Sequence, residues 1–169
     1  MKYILILVST FMFSQTENKI KFNYLSFGGG IYKQQHYKND GLTTNIDLSI
    51  RYNKNLVILY LAGGLGGNDN QKSILIIDAL NSYSEFDLLY GREFIVSDWF
   101  KIEGQLGFGT FSQNISITDD SNRNTIGFPI RAKFLLYPFK KFGIGFNPNL
   151  NVNSINNITS YNLIFQFKF

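Results

Sequence analysis

Residues 42–52 read LTTNIDLSIRY, and the period of that stretch decides the fold. Leu42, Thr44, Ile46, Leu48, Ile50 and Tyr52 take the even positions; Thr43, Asn45, Asp47, Ser49 and Arg51 take the odd ones. Successive side chains of a strand point to opposite faces, so one face here is apolar and the other is polar and charged.

The same period recurs downstream. Phe86, Leu88 and Tyr90 alternate with Glu85 and Asp87, and Phe100, Ile102, Leu106 and Phe108 alternate with Lys101, Glu103 and Gln105. Ile126, Phe128, Ile130, Ala132, Phe134 and Leu136 enclose Arg131 and Lys133. Phe142, Ile144, Phe146 and Leu150 face away from Gly143, Gly145, Asn147, Asn149 and Asn151. Tyr161, Leu163, Phe165, Phe167 and Phe169 alternate with Asn162, Ile164, Gln166 and Lys168. Two stretches are less regular: 20–32 breaks phase around its glycines, and 56–66 is apolar on both faces. The expectation is eight strands, many about 9–11 residues long, the length that crosses a bilayer at a tilt. Pro129 lies inside one of them and predicts a local bulge, because proline cannot donate a ladder bond.

The connections alternate too. Residues 54–55, 97–98 and 138–141 are tight, whereas 34–41, 68–83, 113–124 and 153–157 are longer or more polar. Short turns at one end and long loops at the other fit an up-and-down barrel. Within the loops, 73–80 (SILIIDAL) is markedly apolar and is expected to extend a strand.

Composition narrows the chemistry. The chain has 169 residues, which suits one domain, with 17 % aromatic residues, 17 % charged residues and a net charge of +4. It has no cysteine and one histidine, which removes disulfide scaffolds, thiolate metal sites and thiol nucleophiles and leaves no multi-histidine metal site. The surplus of base is small and spread along the sequence, so no nucleic-acid partner is expected. The glycine runs at 28–30 and 63–67 lack the Lys-Ser/Thr of a phosphate loop.

The first fifteen residues read as an export signal. Lys2 supplies a positive charge, 4–13 (ILILVSTFMF) is apolar, and Ser14-Gln15 precedes the polar Thr16-Glu17-Asn18-Lys19. Ten helical residues rise about 15 Å, half of a hydrocarbon core of about 30 Å, which disfavours a permanent anchor. Cleavage is expected near Ser14 or Gln15, leaving 16–169 as the barrel domain; a buried first strand or helix is the alternative.

Alternation alone does not say which face meets lipid. In a soluble barrel the apolar set points inward; in a membrane barrel it points outward. The bulky residues on the apolar face would overfill an eight-stranded interior, which only just holds its side chains. The lipid-facing set is then Leu42, Ile46, Leu48, Ile50, Phe86, Leu88, Phe100, Ile102, Leu106, Ile130, Phe134, Phe142, Ile144, Phe146, Leu163, Phe165 and Phe167. Tyr52, Trp99, Phe100, Phe134, Tyr137, Phe139, Phe142, Phe167 and Phe169 fall near the turn ends and suit an interfacial aromatic belt.

The ending YNLIFQFKF, residues 161–169, resembles the terminal-strand signal of bacterial outer-membrane β-barrels, whose last residue is typically Phe. With the export signal, eight strands and uneven loops, the chain resembles the small eight-stranded outer-membrane β-barrels of OmpA-like or OmpX-like architecture. The resemblance implies an all-β, antiparallel up-and-down transmembrane barrel in the outer membrane of a Gram-negative-type bacterium. It implies lipid and the barrel-assembly machinery as partners, the latter reading Tyr161, Leu163, Phe165, Phe167 and Phe169. A monomer with no cofactor and no metal is expected, acting structurally, protectively or adhesively through its outer loops.

An interior of that kind holds Asp47, Arg51, Glu85, Asp87, Lys101, Glu103, Arg131, Lys133 and Lys168. Buried charges need partners. Glu103 and Lys133 lie at similar heights and are expected to pair, with Arg131 one step higher, while Asp47 and Asp87 find Arg or Lys partners across the lumen. This reads as a structural plug rather than an ion pathway, with a narrow channel as the alternative. His36, in the first long loop with Tyr37, Lys38 and Asp40, is a weak catalytic candidate beside Ser73, Asp78 or Ser82; such an enzyme would resemble the outer-membrane lipid A acyltransferases. A secreted, soluble, lipocalin-like barrel in the periplasm or medium would instead bury Ile46, Leu48 and Phe165. Asp119-Asp120-Ser121-Asn122 lacks the spacing of a calcium loop and reads as a loop tip.

Overall fold

The computed structural model describes residues 20–35, 39–68, 80–114 and 122–169. The strands are β1 (Lys21–Gln34), β2 (Asn39–Tyr52), β3 (Asn55–Asn68), β4 (Leu80–Ile95), β5 (Phe100–Asn114), β6 (Asn122–Phe139), β7 (Phe142–Asn153) and β8 (Ile158–Lys168). Each pairs antiparallel with its neighbours in sequence, and β1 pairs with β8 from Tyr24↔Lys168 to Gln34↔Ile158, closing the barrel. The export signal, His36, Ser73, Asp78 and the acidic loop tip at 119–121 lie outside the described residues, as does the apolar stretch 73–79.

The strands run from 11 to 18 residues, longer than expected. Pairing persists at the loop end, through Lys33↔Asp40, Asn39↔Asn68 and Ser82↔Asn114, so polar residues assigned to loops belong to ladders. At the other end the connections are short: residues 53–54, 96–99 and 140–141. Asn53 turns the chain with φ 57°, a left-handed conformation that asparagine adopts more readily than most residues.

Alternation sets the two faces. Asp47 is 1 % exposed whereas its neighbour Ile46 is 43 % exposed, so charge points inward and hydrocarbon outward. Leu48 and Phe165 share the outward phase with Ile46. The soluble alternative, which required these three inside, is therefore excluded by orientation. In β1 the phase break falls before the glycines, at an irregularity between Phe22 and Tyr24; from there Tyr24, Ser26, Tyr32 and Gln34 all point inward.

The interior is not polar throughout, which corrects the expectation. Tyr24, Leu56, Ile58, Tyr60 and Leu89 form one buried cluster, and Tyr32, Tyr83, Phe111 and Ile158 form another. A third comprises Leu135, Tyr137 and Ile164. This explains why residues 56–61 are apolar on both faces: Leu56, Ile58 and Tyr60 fill the lumen while Val57, Leu59 and Leu61 line the outside. Tyr137 belongs inside, not in the aromatic belt. Inward glycines make room for this filling, as at Gly64, where an added Cβ would strike the Tyr83 ring.

The expected bulge at Pro129 is absent. The β5–β6 ladder keeps one register across it, from Leu106↔Ile130 to Gly109↔Gly127, with the proline in an interruption of the pairing rather than beside an inserted residue. The irregularity in β6 lies between Leu136 and Phe139, around Pro138. At Pro148 the β6–β7 ladder also breaks, because proline brings no N–H. The adjacent Asn147 side chain takes over, donating to the Ala132 carbonyl at 2.8 Å.

Candidate functional site

The charged residues assigned to the interior from sequence are buried or half-buried on the inward phase of their strands, and they gather in separate polar groups beside the apolar clusters. The central group is built around Asp47 on β2. The carboxylate accepts from Lys133 at 2.9 Å, Arg131 at 3.1 Å and the Ser26 hydroxyl at 2.8 Å. Arg131 also donates to Asn147 at 2.7 Å and stacks its guanidinium 3.8 Å from the centre of the Tyr60 ring. All three charged side chains are fully enclosed. Strands on opposite walls, β2 and β6, are thereby tied across the lumen.

Glu103 and Lys133 are direct register partners on β5 and β6, yet they form no ion pair, contrary to the sequence expectation. The lysine stem is long enough to carry Nζ across to Asp47, so Glu103 takes neutral donors instead. Its carboxylate accepts from the Tyr24 hydroxyl at 2.9 Å and from Gln105 at 3.1 Å. Lys133 reaches the Tyr24 oxygen at 3.3 Å, and its Nζ lies 4.4 Å from the Tyr24 ring centre. The two charges are thus linked through one phenol. Gln166 bridges further, accepting from Lys133 at 3.3 Å and donating to the Tyr137 hydroxyl at 2.7 Å.

Toward the loops sit Glu85 and Asp87, two positions apart on β4 and both buried. Neither has a cation within ion-pair distance among the described residues, which corrects the expectation for Asp87. Arg131 gives its Nη2 to Asp47 and Asn147 and lays its guanidinium on the Tyr60 ring, which holds it beyond ion-pair distance of both carboxylates. Glu85 lies near the side chains of Asn151 and Asn149, and neither of its carboxylate oxygens has a hydrogen-bond partner among the described residues. Above this pair the Tyr32, Tyr83 and Phe111 rings close the bore, with Tyr83 hydrogen-bonded to Thr43 at 2.7 Å. Gln34 then accepts from Gln113 at 3.2 Å and Asn156 at 2.9 Å.

Toward the turns sits a group the sequence reading missed. Glu93 accepts from Arg51 at 2.9 Å and Lys101 at 3.2 Å, and Lys168 stands 4.0 Å away. The signal for it was present, since Glu93 continues the inward parity of Glu85 and Asp87. The alternation read from the sequence stops at Tyr90, three positions short of it.

The arrangement can brace a barrel and block its bore. Aromatic rings, amides and ion pairs follow one another along the lumen among the described residues. Among the described residues no three acidic or histidine side chains gather to hold a metal ion.

No family model and no curated protein matches the sequence. Solved structures do match. Ail, the attachment invasion locus protein of Yersinia pestis, is 18 % identical and covers 88 % of this chain and 100 % of its own, with a TM-score of 0.56. The same protein has been described as an outer membrane protein in a phospholipid bilayer nanodisc. Neisserial surface protein A is 10 % identical over 89 % of this chain and 99 % of its own, with a TM-score of 0.71. The N-terminal β-barrel domain of Pseudomonas aeruginosa OprF is 14 % identical over 89 % and 100 %, with a TM-score of 0.52. At these identities the likeness is one of fold: the chain is built as the small outer-membrane barrels are.

Proposed function

We propose that the mature protein, residues 16–169 after loss of the export signal, spans the outer membrane of a Gram-negative-type bacterium as a plugged barrel. Its role is structural, protective or adhesive and is exerted through the loops opposite the tight turns. One observation carries the reading: ion pairs are sealed inside while Leu42, Phe86, Leu106, Ile130 and Leu163 stand exposed on the outer wall. Water would penalise that wall, and lipid would not. The adhesive option draws on Ail, whose name describes attachment and invasion. Tyr161, Leu163, Phe167 and Phe169 are exposed along β8 and its end, open to recognition by the assembly machinery.

The test is fractionation of the expressing cell, followed by electrophoresis of the membrane fraction with and without boiling. A folded outer-membrane barrel resists detergent and shifts in mobility only after heating. Recovery in the soluble fraction without detergent would overturn the proposal.

A further inference from the structure

At the turn end the barrel gathers positive charge far beyond its acids. Inside the mouth, Arg51, Lys101 and Lys168 converge on Glu93, whose register partner on β5 is the buried Glu103. The cationic side chains are 31 %, 15 % and 18 % exposed and the carboxylate only 3 %, so the cations look out of the mouth and the acid lies beneath them. Lys101 and Lys168 stand side by side, with Nζ atoms 5.7 and 3.6 Å from the centre of the Tyr137 ring. Around the rim Lys21, Lys54, Arg92, Lys140 and Lys141 are exposed, with Asp98 as the exposed acid among them. Counting Glu103, which pairs in register with Glu93, this end holds eight cations and three acids among the described residues, a surplus of five against the +4 of the entire chain.

Adjacent ammonium groups repel, and Glu93, the carboxylate within ion-pair distance of all three cations, cannot neutralise them by itself. A further anion in the mouth relieves both problems. The donors are the Arg51 guanidinium, whose Nε is held by Asn23, and two ammonium groups, all three partly exposed to solvent. That donor set suits an anion with several acceptor oxygens rather than one more carboxylate. We infer that the turn-side mouth binds a phosphate group, held by Arg51, Lys101 and Lys168, with the rim lysines adding long-range attraction. The phosphate belongs either to a phospholipid headgroup in the leaflet around the turns or to a soluble phosphate.

Trp99 is the sole tryptophan, and its carbonyl accepts the Tyr137 N–H at 2.7 Å, so its emission reports on the mouth. The experiment titrates inorganic phosphate against chloride, at fixed ionic strength, into the folded full-length barrel in uncharged detergent. A second arm compares phosphatidylcholine vesicles with and without phosphatidylglycerol. Saturable change of Trp99 emission with phosphate assigns a site that a soluble phosphate fills; change only with phosphatidylglycerol assigns the headgroup. In either case Lys101→Gln and Lys168→Gln each weaken the response about tenfold, the scale of one lost charge-assisted hydrogen bond. Lys101→Arg, which keeps the charge, restores it, and Lys33→Gln, at the opposite end, leaves it unchanged. Absence of a response in both arms, or equal responses in the wild type and both glutamine variants, overturns the inference. The detergent arm needs only a folded barrel, so it stands or falls apart from the outer-membrane reading.

Discussion

Asp47 bears the largest share of the internal network, because two buried cations and a serine hydroxyl depend on one carboxylate. Asp47→Asn keeps the shape and removes the charge, leaving Lys133 and Arg131 enclosed without their counter-ion. Breaking a buried pair from one side typically costs about 3–5 kcal/mol. The expected outcome is a folded but destabilised barrel, read as a lower urea midpoint in micelles with an unchanged slope. A change below about 0.5 kcal/mol, the size of an ordinary surface substitution, would show that the cations find other partners. The partners themselves were not legible in the sequence. Parity placed Asp47, Glu103, Arg131 and Lys133 on the inner face, but the choice of Asp47 over Glu103 depends on closure. Only when β2 faces β6 across the bore does Lys133 come within reach of Asp47.

At the scale of the strand, legibility was highest where charged residues marked one face, as in β2 and β5. It was lowest in β3, where an apolar patch of the lumen erases the contrast between faces. Strand ends were misjudged for a related reason. Lys33, Asp40 and Asn114 have the composition of loop residues, yet they extend ladders, because backbone pairing does not require apolar side chains. The outward phase of each strand can be tested by depth. Leu61 lies in the middle of β3 on the outer wall, and Phe139 at the turn end of β6. In lipid, arginine costs about 2–4 kcal/mol near the midplane and about 0–1 kcal/mol near an interface. Leu61→Arg should therefore destabilise the barrel in phosphatidylcholine vesicles by several times more than Phe139→Arg, measured by urea unfolding. Equal penalties would mean that the wall does not sit in hydrocarbon as proposed.

At the scale of the whole molecule, the bore is crossed by Arg131 on Tyr60 and filled toward the loops by Tyr32, Tyr83 and Phe111. In planar bilayers the purified protein should show no steady conductance above background, and stable open steps would require the network to rearrange. The two-faced apolarity of β3 reaches beyond the folded state. Before closure, the run Leu56–Val57–Ile58–Leu59–Tyr60–Leu61 is an uncharged, β-prone segment with no proline, the composition of an aggregation core. The filling of the finished bore thus makes the unfolded chain adhesive to its own kind. Ile58→Thr should raise refolding yield from dilute urea while lowering the stability of what folds, separating solubility of the open chain from strength of the closed barrel.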